Sequence, residues 1–110
     1  MAYDDKLAAR VRLALAGERA TEKAMMGGLC FMVRGHMCAG VTKDKLMLRV
    51  GAAGHAHALT LKHAVPMDFT GKSLKGFVFV LPAGCATQRA VDAWVKRAMA
   101  FVATLPPKTK

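Results

Sequence analysis

The chain is expected to fold as an α+β domain in the order α-β-β-β-α-β-β-α, with helices packed on an antiparallel sheet. Three observations predict this. Residues 29–33, 37–41 and 46–50 are short apolar runs bounded by turn residues, the pattern of a strand meander. Helical apolar repeats stand at both ends, over residues 4–16 and 88–105. The composition, 54% hydrophobic and 22% charged over 110 residues, suits one packed domain that needs no staples.

In chain order, Asp4 and Asp5 place negative charge at the amino end of the first helix, Leu7, Val11 and Leu15 form its apolar stripe, and Gly17 stops it. In the meander, Gly35-His36 is expected as a two-residue type II′ loop, because Gly takes the positive φ required at its first position. That loop sets Val33 opposite Cys38, Met32 opposite Ala39 and Phe31 opposite Gly40, which places Cys30 and Cys38 on opposite sides and excludes a disulfide. Lys43-Asp44-Lys45 is the second turn. Residues 53–62 read as a helix weakened by Gly54, and 65–69 and 77–81 as two strands joined through Thr70-Gly71-Lys72-Ser73. Thr87 is the expected N-cap of the last helix. Val91, Trp94, Val95, Ala98, Phe101 or Val102, and Leu105 make its core side, which assigns Trp94 to packing rather than base stacking. Pro106-Pro107 ends the helix, and residues 106–110 are expected as a frayed basic tail.

Chemistry is sparse. His55, His57 and His63 invite a metal reading, but on a helix His55 and His57 point about 200° apart and no His-x-x-x-His pair exists, so no metal is expected. Gly71-Lys72-Ser73 matches the end of a phosphate-binding P-loop, yet Pro66 stands where the first glycine belongs and no helix start follows. No carboxylates pair as an acid–base dyad, and no cofactor is expected. Of the three cysteines, Cys30 and Cys38 lie inside strands, where a thiol behaves as a small hydrophobe. Cys85 precedes a helix, whose amide dipoles lower a thiol pKa, and it is the candidate reactive thiol.

An odd cysteine count without C-x-x-C fits the reduced thiols of a cytoplasmic protein. The start has no basic segment ahead of a long apolar core, so no secretory signal is expected, and no apolar run approaches the ~20 residues of a membrane span. The net charge of +10 attracts polyanions, but the basic residues are spread along the chain without a run of four. A protein partner is therefore expected first and nucleic acid second, with no membrane. Turns place Arg34, His36, Lys72 and Lys75 outward as the candidate contact positions. The eight methionines offer adaptable packing, and an uncovered strip with Met32, Met37 and Ala39 would serve a homodimer or a docked partner.

The order of motifs also carries a resemblance. Glu22-Lys23-Ala24-Met25-Met26-Gly27-Gly28-Leu29-Cys30-Phe31-Met32-Val33 is followed by Gly35-His36-Met37-Cys38-Ala39-Gly40-Val41, Leu46-Met47-Leu48-Arg49-Val50-Gly51, and the stretch from Pro66-Met67-Asp68-Phe69 to Phe77-Val78-Phe79-Val80. Together these resemble the N-terminal domain family of the competence regulator TfoX, also called Sxy, in its short stand-alone form. The resemblance covers nearly the whole chain, with Met26 where the family's Met-Phe-Gly-Gly signature has Phe. It implies one domain over residues 1–110, a two-layer sandwich with a five-stranded antiparallel sheet similar to the secretion-chaperone-like fold, and no catalytic residue. Full-length relatives carry a second, C-terminal domain and act in competence-gene regulation; this chain is expected to hold the first domain only. The leading expectation is a non-enzymatic regulatory or protein-interaction module. Direct nucleic-acid binding through the basic surface is the first alternative, and a small thiol enzyme or redox protein using Cys85 the second.

Overall fold

The computed structural model describes residues 3–25, 27–69 and 72–106, and at 25, 68, 69 and 72–74 the backbone alone. In chain order the elements are α1 (Asp5–Ala14), β1 (Thr21–Met25), β2 (Gly28–Val33), β3 (His36–Thr42), β4 (Lys45–Arg49), α2 (Gly51–Leu59), β5 (Ala64–Phe69), β6 (Lys72–Val80), a 3-10 turn at Pro82–Gly84, and α3 (Gln88–Val102). The α+β class holds, with an open antiparallel sheet in the order β1-β2-β3-β4-β6-β5. The sheet has six strands where five were expected. The additional one is β1, an edge strand whose residues Thr21 to Ala24 are all exposed. It buries no alternating face and so leaves no hydrophobic period to read.

The end helices form as their residues dictate. Asp4 caps α1, its carboxylate accepting from the Lys6 and Leu7 amides at 2.8 and 3.2 Å, which satisfies donors that have no partner inside the helix. Leu7, Val11 and Leu15 are buried along its stripe. Thr87 caps α3 by accepting from the Ala90 amide at 3.1 Å, and Val91, Trp94, Val95, Ala98 and Val102 are buried. α3 stops at Val102, short of residue 105. Gln88 bridges the two helices, its side-chain amide donating to the Arg10 carbonyl at 2.7 Å.

The first hairpin corrects the expected loop. Its two central residues are Arg34 and Gly35, with φ of 56° and 82°, and Val33 pairs with His36. Two successive positive φ values are the requirement of a type I′ turn, whose twist matches that of the flanking strands. Met32 then faces Met37, a bulge passes Cys38, and Phe31 faces Ala39. Cys30 and Cys38 still fall in different clusters, and neither forms a disulfide. The helix expected at 53–62 runs from Gly51 to Leu59. The strand expected at 77–81 begins earlier, at Lys72, and ends at Val80. Gly76 interrupts its period at φ 90°, while the Gly76 carbonyl accepts from the Val50 amide at 2.8 Å.

Register sorts the apolar strand residues onto two sides. Leu29, Phe31, Val33, Ala39, Val41, Leu46, Leu48, Val78 and Val80 join the buried faces of α1 and α3 in the main core. Cys30, Met37, Met47 and Met67 form a second buried cluster, packed by Met32, Phe77 and Phe79. Ala39, expected on an uncovered strip with Met32 and Met37, belongs to the main core, because the bulge at Cys38 shifts the alternation.

Candidate functional site

Every described member of the second cluster is a strand residue: Cys30 and Met32 from β2, Met37 from β3, Met47 from β4, Met67 from β5, Phe77 and Phe79 from β6. The strands carry it because they are apolar on both faces. Leu46 and Leu48 alternate with Met47, and Val78 and Val80 with Phe77 and Phe79, so that branched aliphatics face the helices and flexible or aromatic side chains face away. Gly40 opens the floor. A Cβ there would lie 2.7 Å from Met47 Cε and 2.9 Å from the Leu29 carbonyl oxygen, so the Met47 side chain lies across β3 in the space a glycine leaves.

Cations sit on this face. The Lys45 ammonium stands 5.9 Å from the Phe79 ring centroid, and the Arg49 guanidinium 5.7 Å from Phe77 and 5.4 Å from Phe101 of α3. A cation over a ring is held by its quadrupole at about 0.5–1 kcal/mol when exposed. Met47 and Met67 are fully buried, while Met32, Phe77 and Phe79 are partly buried. Chemically the cluster offers polarizable thioethers and aromatic rings with positive charge beside them.

The expected contact positions fall at one end of the sheet without meeting. Arg34 is exposed in the β2–β3 turn, where it lines an open cleft with Arg19. His36 is half-buried, its Nε2–H donating to the Pro106 carbonyl at 2.7 Å. Lys75 is exposed on β6. The Lys72 side chain lies outside the described residues, as do Thr70, Gly71 and residues 107–110 of the expected tail. With β4 between β3 and β6, two strand spacings, roughly 10 Å, separate His36 from the β6 lysines. The Met/Phe face itself was missed as a unit. The doubled apolar alternation in 29–33, 46–49 and 77–80 was the signal that could have found it.

Cys85 sits beside a small cleft lined by Asp4, Arg10 and Asp44, with no histidine among the residues lining it. Its side chain is 2% exposed, and burial pushes the thiol up from its ordinary range, against smaller opposing effects from a Leu46 backbone hydrogen bond and Arg10. The Sγ–H donates toward the Leu81 carbonyl at 3.5 Å. Desolvation disfavours the thiolate that chemistry would need, so standing just ahead of α3 does not make Cys85 a thiol of lowered pKa. Burial likewise raises Cys30, and raises Cys38 to about 12. His55 and His57 lie on α2, and among the described residues no three His, Cys, Asp or Glu side chains gather as a metal group would. The Gly-Lys-Ser stretch leads into strand β6 rather than a helix, so no helix amino terminus stands behind it.

Among the described residues no helix is long and apolar enough to cross a membrane. No curated protein and no solved structure matches the chain. The family model of the TfoX N-terminal domain matches residues 4–102, a span that takes in all three helices and all six strands. By that match the chain belongs to the TfoX N-terminal domain family.

Proposed function

We propose that this chain is a non-enzymatic regulatory module of the cytoplasm, of the kind that acts in competence or transcription regulation, and that it works by docking a protein partner. In this reading the domain is a two-layer sandwich, with helices on one side of the sheet and the Met/Phe face left for contact. The observation that carries it is the second apolar cluster built from strand residues alone, with Lys45 and Arg49 set over its rings. Family membership supports the regulatory half, and three thiols held protonated by burial support the absence of thiol chemistry. The cations beside an apolar centre favour a partner surface that is apolar and acidic.

Site-specific photocrosslinking in the native cytoplasm tests it. A crosslinker replacing Met32 or Phe79 is expected to capture a discrete protein that one at Leu13, 67% exposed on α1, does not. Capture of that protein from Leu13 alone, or of nothing from the sheet face while the domain stays folded, would reject docking there.

A further inference from the structure

The loop from α1 to β1 and the β2–β3 hairpin bound an open cleft of about 510 Å³, lined by Gly17, Glu18, Arg19, Thr21, Arg34 and Gly35. That volume is within the range of small-ligand sites. Arg19 and Arg34 both have φ of 56°, a left-handed conformation that L side chains adopt at a steric cost. At Arg34, the first central residue of a type I′ turn, Asn, Asp or Gly would satisfy the backbone without that cost. Both arginines are exposed, and neither has a hydrogen bond or ion pair among the described residues. Contacts within the domain therefore do not account for arginine at either strained position; Lys43 and His63 share the left-handed conformation elsewhere, so what sets the two arginines apart is that they line one cleft. The lining carries two guanidiniums against the one carboxylate of Glu18. Thr21 adds a hydroxyl, while Gly17 and Gly35 leave the walls without side chains.

We propose that this cleft binds a phosphate oxyanion, with Arg19 and Arg34 as the two arms of a clamp. The planar guanidinium fork matches phosphate geometry in a way a lysine ammonium does not, which makes two arginines lining one cleft selective for such groups. The net charge of +10 raises the local concentration of any phosphate anion. The phosphate comes either from a free anion, such as pyrophosphate or a nucleotide, or from a nucleic-acid backbone; the oxyanion chemistry is shared. The site adjoins the Met/Phe face at Met32 but does not depend on a protein docking there.

Calorimetric titration of the full chain at roughly 0.15 M salt tests it with three probes: pyrophosphate, a nucleoside monophosphate and a short single-stranded oligonucleotide. Arg19→Asn and Arg34→Asn are each expected to weaken binding about tenfold or more, the loss of one charge-assisted pair. Their melting temperatures should be no lower than that of the parent, because Asn tolerates the left-handed region. Arg89→Gln removes an equal charge from exposed α3 surface and should change affinity less than about twofold. Glu18→Gln should tighten binding. Saturation by pyrophosphate or the mononucleotide identifies a free anion, and saturation by the oligonucleotide alone identifies a backbone. Equal weakening by all three charge-removing variants, which is diffuse attraction, or binding of no probe would overturn it.

Discussion

Gly40 shows how a single position shapes the methionine-rich cluster of the sheet. A methyl group there meets Met47 Cε at 2.7 Å and the Leu29 carbonyl at 2.9 Å, and the carbonyl cannot step aside. Gly40→Ala is expected to cost about 1–3 kcal/mol in urea unfolding; a loss below about 0.5 kcal/mol would mean that the methionine layer has slack. The buried thiols give a second residue-level prediction. Cys38 is held protonated to about 12, against an ordinary thiol value of 9.0. The unfolded chain therefore releases this proton first, and the contribution of this thiol to stability should be level below pH 9.0 and fall as pH climbs from there toward 12. Under native conditions at neutral pH, alkylation of Cys30, Cys38 and Cys85 should wait on unfolding; prompt labelling of Cys85 would revive the thiol chemistry that its position before α3 invited.

At the scale of elements, β1 is held to the fold by strand pairing and by one exposed ion pair. Arg12 Nε stands 2.6 Å from Glu22 Oε2, with the side chains 48% and 37% exposed, and Nη2 stands 2.9 Å from Oε1. The Arg12 hydrogen bond holds the Glu22 carboxyl below its ordinary 4.5. Its contribution is therefore present above pH 4.5 and lost as pH falls through the lowered value. Exposure and screening keep it small. Glu22→Gln should cost about 0–1 kcal/mol at neutral pH, and the difference should vanish in acid; a difference that persists there would belong to packing. Helix α2 buries the fewest residues of the three, Gly51 and Ala58, and has no side-chain cap at Val50. By hydrogen exchange its amides should open about 100-fold or more faster than those of β3, through local rather than global unfolding. Equal protection would show that α2 and the sheet open as one unit.

Across the whole molecule, the two sides of the sheet are built from different materials. The helix-covered side uses Leu, Val, Phe and Ala, which pack into one defined core, whereas the other uses Met and Phe with cations over the rings. Adaptable side chains on the second side suit contact with another surface, and positive charge at its edge and in the Arg19–Arg34 cleft matches the two kinds of acidic target proposed.

Local pattern was enough for the helices and the inner strands. Asp4 and Thr87 cap where short polar acceptors meet an apolar repeat, and the runs in 29–50 form strands because their length and flanking turns allow little else. Those signals are local and survive without a partner. Strand β1 was not legible, since an edge strand exposed from Thr21 to Ala24 is defined only by the neighbour it pairs with. The Arg34-Gly35 turn was misplaced by one residue because a strained arginine defies turn propensity, and the bulge at Cys38, which moved Ala39 to the core, depends on how β3 meets β2. Periodicity over 4–16 and 29–50 thus determined which segments are helix and strand. Only tertiary structure decided which strand residues share a core with the helices, that Arg19 and Arg34 share a cleft, and that burial raises the Cys85 thiol, because each depends on residues distant in sequence.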